Sequence, residues 1–549
     1  MISLRQIFSP QEVAFCPKPD KAVFILLLIV LSAVPGPSLG AEENTKTLLI
    51  PPVEEINVMY RQFLPVKSHL EKELDLEVEL VVERNYDAAL EKIGQGKADL
   101  AYLDPAAYCD ARHKHDVVPL AKAVRKESEG CGSVLVVRHN SPIKKIVQTK
   151  GKSLALGSVH SSSSYLMPLS MLKDVDLGLN DFSRVGYLQR EDQVALSVLV
   201  GDYDLGAMSQ EVARKYAEYG LRIIHCAEPI PRFVLSASRS MDNEFQSRVK
   251  RALLKYQPTG EQDLAFASVQ DREYDVVRIM IKNITGRDYL HYPAGTLKLG
   301  LLPLYSAITL HEMFQPLAKY LGQELDRDVR LVIPRDFEEF VHLVRQGEVD
   351  FTFQNPYVHL LLARDGHLQP LVLTISPEPE EPRPEFRGVI LTRKDSDIRQ
   401  IQDLTGKKIM IVSFKSAGGY WFQNVHLRQE LGVDISQAAE LVEGKKHENV
   451  ILALYRGEAD AGFVREAVLP LAWDLVDMDK IKVLERTRYH PNWPLSAVRH
   501  VPEDLAEQAQ QALLDLQGND LLREARIEGF TRPDIRGLRA LEDLVQFDE

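Results

Sequence analysis

The sequence predicts an α/β protein built from two tandem copies of one domain, and three observations carry that expectation. At 549 residues the chain is too long for a single hydrophobic core. Short apolar β-prone runs alternate with stretches whose apolar residues recur at helical spacing. Above all, the chain repeats itself. Q-G-K-A-D-L-A-Y-L-D-P-A-A-Y (95–108) returns as Q-G-E-V-D-F-T-F-Q-N-P-Y-V-H (346–359), and D-Y-D-L-G-A-M-S-Q-E-V-A (202–213) as E-A-D-A-G-F-V-R-E-A-V-L (458–469). L-S-A-S-R (235–239) returns as L-S-A-V-R (495–499). The offsets are 251, 256 and 260 residues, so order is kept and the period is that of a domain.

In chain order, the N-terminus comes first. Lys18 and Lys21 precede the apolar run 22–34, and small residues up to Gly40 follow. Basic flank, short apolar core and small-residue end predict a secretory signal over 1–40, cleaved near Gly40. The run is short for a membrane span. The first copy, expected over 47–285, begins with the strand L-L-I-P-P, then the helix F-L-P-V-K-S-H-L-E-K-E-L. The strand V-E-L-V-V, the helix Y-D-A-A-L-E-K-I and the strand D-L-A-Y-L come next. Alternation of this kind implies parallel sheets covered by helices. A linker is expected at 286–296 and the second copy at 297–549, with the Pro-rich 376–384 as an exposed loop.

Charge and motifs limit the chemistry. With 66 basic and 79 acidic residues the net charge is −13, which speaks against nucleic acid as a partner. No GxSxG, HExxH, P-loop or dinucleotide fingerprint is present, so no enzyme, cofactor or metal is expected. In R-H-K-H (112–115), His113 and His115 are flanked by Arg and Lys and read as solvated rather than as metal ligands. His160 beside the serines lacks the spacing of a catalytic base. Beyond residue 40 the cysteines are Cys109, Cys131 and Cys226. An odd number leaves at least one free or paired outside the chain.

One stretch raises a specific question. G-S-V-H-S-S-S-S-Y-L-M-P (157–168) sets four serines where a strand, S-L-A-L, turns into a helix. With the G-x-x-D-x-x-x-x-x-P-x-x-Y pattern and the closing D-R-E-Y-D-V-V-R (271–278), it resembles the periplasmic substrate-binding proteins of phosphate, phosphite and phosphonate ABC transporters. The resemblance spans nearly all of 47–285 and, more loosely, 297–549. It implies the type II periplasmic-binding fold: two α/β lobes per copy, joined by crossover strands, with ligand in the cleft between them. In the first copy, lobe one is then 47 to about 130 plus about 230 to 285, with lobe two between; the second copy splits near 388 and 490.

The resemblance also implies site residues. Helix-start N–H groups and serine hydroxyls make an oxyanion site, so Ser161, Ser162 and Ser163 match the family's hydroxyl triplet and Tyr165 its tyrosine. One serine as a simple helix cap is the plainer alternative. Tyr86 matches an aromatic that closes over ligand, against ordinary core packing. Tyr102 or Asp104 is placed at the cleft, Asp104 also reading as a cap. Cys131 stands where the family often has an aromatic; it reads as a small core residue or as a thiol admitting a soft ligand such as arsenite. Arg232 and Phe233 stand where aminophosphonate binders carry a carboxylate, which favours a simpler or more anionic ligand.

In the second copy Asn355 takes the Asp104 position. Ser416 and Tyr420 keep the serine motif, Ala417 and Gly418 lose its hydroxyls, and Lys415 adds charge. His447 matches a family histidine that is Glu191 in the first copy, and Arg465 is placed near the cleft. This copy is either a second site for a different anion or a degenerate copy kept for structure or partner contact. The expected partners are a small anionic ligand and an ABC permease, with a membrane sensor protein such as a histidine kinase as the alternative. Duplication favours sensing; the want of a kinase or membrane segment in the sequence favours transport.

Overall fold

A computed structural model describes residues 45–542, apart from 126–129, 259–263, 304, 378–380, 517 and 519. The expected signal segment lies outside these residues. The two copies pack as one compact unit.

Each copy carries two main sheets, and the second copy adds a two-stranded one, Glu385–Phe386 against His490–Pro491. In the first, six strands (Thr45–Ile50, Glu77–Val82, Leu100–Leu103, Val118–Val124, Val234–Ala237 and Ala265–Ala267) form one lobe, and five strands between Ser133 and Ala227 form the other. The second copy repeats the plan, with six strands in one sheet and five strands between Gly388 and Arg486 in the other.

The sheets are mixed rather than parallel. Thr45–Ile50 runs parallel to Leu100–Leu103, but Val234–Ala237, returning from the other lobe, pairs antiparallel to it. Pro494–Val498 does the same against Phe351–Phe353. Strands that cross between lobes enter a sheet from its opposite end, so the lobe change itself imposes the reversed direction.

Helical spacing in the sequence has a direct structural counterpart. Helix Ile56–Leu74 buries Met59, Phe63, Val66, Leu70 and Leu74 along one stripe. It ends on Asp75 at φ 55°, and its repeat Ala307–Glu324 is followed by Asp326 at φ 48°. Each helix tolerates a proline, Pro65 and Pro316, at the same offset of 251 residues. The repeat therefore preserves helix irregularities as well as apolar spacing.

Between the copies, the D-R-E-Y-D-V-V-R segment supplies the joint. Arg278, 4% exposed, bridges Asp271 and Asp275, and Asp275 also meets Arg330 of the second copy at 3.1 Å. Arg272 meets Asp328 at 3.1 Å. A buried pair of this kind holds register more than it adds stability, because desolvation offsets much of the attraction. The segment 286–296 packs on both copies: Tyr289 donates to Asp110 at 2.7 Å and stacks on His113, which stays exposed as the sequence predicts, and the Tyr292 hydroxyl donates to the Leu331 carbonyl at 3.4 Å.

Candidate functional site

In the first copy a cavity of about 170 Å³ opens between the lobes. The serine stretch reaches it through an unusual helix start. Ser161 caps a π-turn, Ser162–Leu166, that leads into helix Met167–Asp174, and its Oγ accepts the Ser164 N–H at 3.3 Å. The wider π-turn places Ser162 and Ser163 side by side at the cavity floor.

Both hydroxyls donate to carboxylates. Ser162 Oγ donates to Asp104 Oδ1 at 2.6 Å, and the Ser162 and Ala106 amides donate to the same oxygen at 2.9 Å each. Ser163 Oγ donates to Glu191 Oε1 at 2.5 Å, while the Ser209 amide and hydroxyl hold Oε2 at 3.0 and 2.6 Å. Asp104 comes from lobe one and Glu191 from lobe two, and both are buried. Asp104 Oδ2 has no hydrogen-bond partner among the described residues. Burial is the main cause that pushes the Asp104 carboxyl up to about 7, opposed by the Ser162 and backbone bonds. Burial also raises Glu191, against the serine bonds that lower it. Asp104 is thus both helix cap and cavity wall, a double role that cap logic alone does not reveal.

The remaining first-copy expectations divide. Tyr102 lines the cavity, its ring stacked on Phe233 at 4.9 Å and edge-on to Phe63 at 4.8 Å. Arg232 lines it too, and its guanidinium meets Glu211 at 3.0 Å. Tyr86 is buried in the core under Ser161, with its ring stacked at 6.4 Å on His160; burial holds its phenol well above the usual range. Tyr165 departs from the cleft: it faces a separate crevice beside His160 and Asp110 and packs on Tyr187. The thiol reading of Cys131 is overturned. Cys131 is joined to Cys226, 95 residues on, so the cavity wall offers a disulfide rather than a thiol, and buried Cys109 is the free cysteine among the described residues.

The second copy has an equivalent cavity of about 420 Å³ with different walls. Phe314, Phe353 and Trp493 take the places of Phe63, Tyr102 and Phe233, with ring centroids 4.9 and 5.1 Å apart. Tyr305 stands at the Glu54 position, Met313 at Gln62 and Arg465 at Ser209.

Of the second-copy residues expected from sequence, Arg465 lines this cavity and the others do not. Asn355 caps its helix and donates to the Lys415 carbonyl, Lys415 pairs with Glu338 at 2.8 Å, and Ser416 caps the π-turn Ala417–Trp421. The Tyr420 hydroxyl accepts from Asn424. His447 Nδ1 accepts the Arg465 amide at 3.2 Å, the bond Glu191 makes to Ser209 in the first copy, and burial, then Arg465, pushes its imidazole down to about 3. It is therefore a neutral acceptor. Residues missed in the sequence, such as Tyr305 in L-L-P-L-Y and Trp493 in P-N-W-P, lie outside the repeated segments.

Two mixed α/β lobes around a cleft, repeated in tandem, define a ligand-binding protein of the two-lobed class. The chain belongs to the family described as "ABC transporter, phosphonate, periplasmic substrate-binding protein", whose model matches residues 48–278 and 299–537. It is 28% identical over 182 residues to the phosphate-import protein PhnD of Mycolicibacterium smegmatis, covering 32% of this chain and 56% of that relative. It is 27% identical over 241 residues to the tetrathionate sensor histidine kinase TtrS of Salmonella typhimurium, covering 40% of each. The chain thus spans about half the length of these curated relatives. Among solved structures, PhnD1 from Prochlorococcus marinus in complex with methylphosphonate matches at 19% identity and TM-score 0.41, covering 44% of this chain and 99% of that one.

Proposed function

We propose that this is a periplasmic binding protein whose first cleft captures a small oxyanion of the phosphate, phosphite or phosphonate class, in a form that still carries a proton, for an ABC permease. The observation that carries this reading is the cavity floor, where Ser162 and Ser163 lie between Asp104 and Glu191. Hydroxyls and helix-start amides suit oxyanion oxygens. At the higher pH the ionised carboxyls repel a fully ionised oxyanion, whereas at the lower pH Asp104 holds its proton and donates to an anion oxygen, and a proton-bearing anion can donate to Glu191. Secretion through a signal cleaved near Gly40 belongs to the same proposal.

Titration calorimetry of inorganic phosphate, phosphite, methylphosphonate and sulfate at pH 5.5 and 8 tests it. A proton-bearing anion should bind more tightly at the lower pH, and sulfate, unprotonated throughout, should not bind. Absence of heat from every anion overturns the reading.

A second reading is ligand sensing for a membrane histidine kinase or other receptor. The likeness to a sensor kinase and the two clefts of different lining favour it. Pull-down against a permease and against a membrane kinase distinguishes the two.

A further inference from the structure

We propose that the second cleft binds a different class of ligand: an organic monoanion with an aromatic or branched apolar body, such as a carboxylate or sulfonate. The cavity volume of about 420 Å³ lies in the range of small-molecule sites. Its walls are apolar where the first cleft is polar. Phe314, Phe353 and Met313 form one side, and Trp493 forms another.

Trp493 is 4% exposed, and its Nε1–H has no hydrogen-bond partner among the described residues. A buried indole N–H normally finds an acceptor, so this wall is one donor short of satisfied. Burial holds the Tyr305 phenol up to about 12, which keeps it neutral and able to donate.

Charge sets the sign of the ligand. Arg465 and Arg526 line the cavity, and Glu466, its one lining acid among the described residues, is already bridged by Arg387 at 2.5 Å and Arg486 at 2.7 Å. Arg465 lies over the Phe386 ring at 4.3 Å and donates to Ser376 and Asn492, so it is held in place on the cavity wall.

An inorganic tetrahedral anion does not fit this environment. The hydroxyl pair of the first cleft is replaced by Ala417 and Gly418. At Gly418 a Cβ would lie 2.8 Å from Phe386 and 3.1 Å from the Arg465 Cβ, so no serine fits there without rearrangement. The inference stands whatever the first cleft takes.

The test is a calorimetric titration of the full chain with benzenesulfonate, and with neutral benzamide as the isostere, alongside Trp493→Phe and Met313→Trp. Saturable benzenesulfonate binding is expected, weakened when Trp493→Phe removes indole surface from the wall and abolished when Met313→Trp fills the cavity. No saturable binding of benzenesulfonate at millimolar concentration overturns the proposal. So does equal affinity for benzamide, or binding that survives Met313→Trp. Should Trp493→Phe melt early, Met313→Trp decides alone, since it lies on a helix rather than on the crossover strand.

Discussion

The two clefts share a frame and differ in what lines it. Both start a helix with a π-turn, Ser162–Leu166 and Ala417–Trp421, capped by Ser161 and Ser416. Both back the cavity with an aromatic trio at matched positions. Yet Asp104 becomes Asn355, Glu191 becomes His447, and Ser162–Ser163 becomes Ala417–Gly418. The hydrogen-bond geometry survives these changes: His447 takes the Arg465 amide where Glu191 takes that of Ser209. What changes is charge, since two buried carboxylates give way to a neutral amide and a neutral imidazole. Duplication kept the scaffold bonds and left the ligand-facing atoms to vary.

Four measurements sharpen or break this comparison. The largest effect concerns the disulfide, which the second copy has no cysteines to match. Closing a loop across 95 residues constrains the unfolded chain, so Cys131→Ala with Cys226→Ala should cost about 4 kcal/mol in urea unfolding. An unchanged midpoint would show that the bridge does not set the stability of the first copy.

Next, Ser162→Ala with Ser163→Gly converts the first floor into the second. Losing two hydroxyls at an anion site should weaken oxyanion binding by 100-fold or more, at about 1.5–3 kcal/mol for each bond to a charged group. Retained affinity would move the site elsewhere.

Asp104→Asn, the residue of the second copy, isolates the buried charge. The Asp104 carboxyl is raised to about 7 in the fold, against about 3.9 in an unfolded chain. The folded state therefore holds a proton that the unfolded state releases. Its contribution is fully present below about pH 4 and is lost as pH rises to about 7. At pH 8 the variant should be more stable than the parent by up to about 4 kcal/mol, falling to about 1 kcal/mol at pH 4.5. Glu448, also raised to about 7, and His447, lowered to about 3, titrate in both proteins, so the difference between the two reads Asp104. A constant difference across pH would contradict a buried charge there.

The smallest effect is expected for Gly418→Ser, which crowds Phe386 and Arg465. A loss of about 1–2 kcal/mol in unfolding is expected, without any gain in phosphate binding.

Much of this architecture was legible in the residues. Repeated D-x-x-x-x-D/N-P, D-x-G and L-S-A-x-R segments announced the duplication, and the serine stretch marked the floor of the first cleft. Mixed sheet direction was not legible, because strand polarity depends on which lobe a crossover strand returns from. Glu191 and Ser209 were also out of reach as a unit, since they lie 18 residues apart on different elements and meet only through the Ser209 amide and hydroxyl.

Alternation, helical spacing and internal repetition are local properties of the chain, and they alone determined the fold class, the two copies and the helix that presents the serines. Tertiary packing decided which side chains face a cavity. It turned Cys131 into half of a disulfide, moved Tyr165 out of the cleft, and set Trp493 in an apolar wall with its N–H unmatched among the described residues. The physical reason is that hydrogen-bond satisfaction and burial are settled between residues far apart in sequence, where periodicity carries no signal.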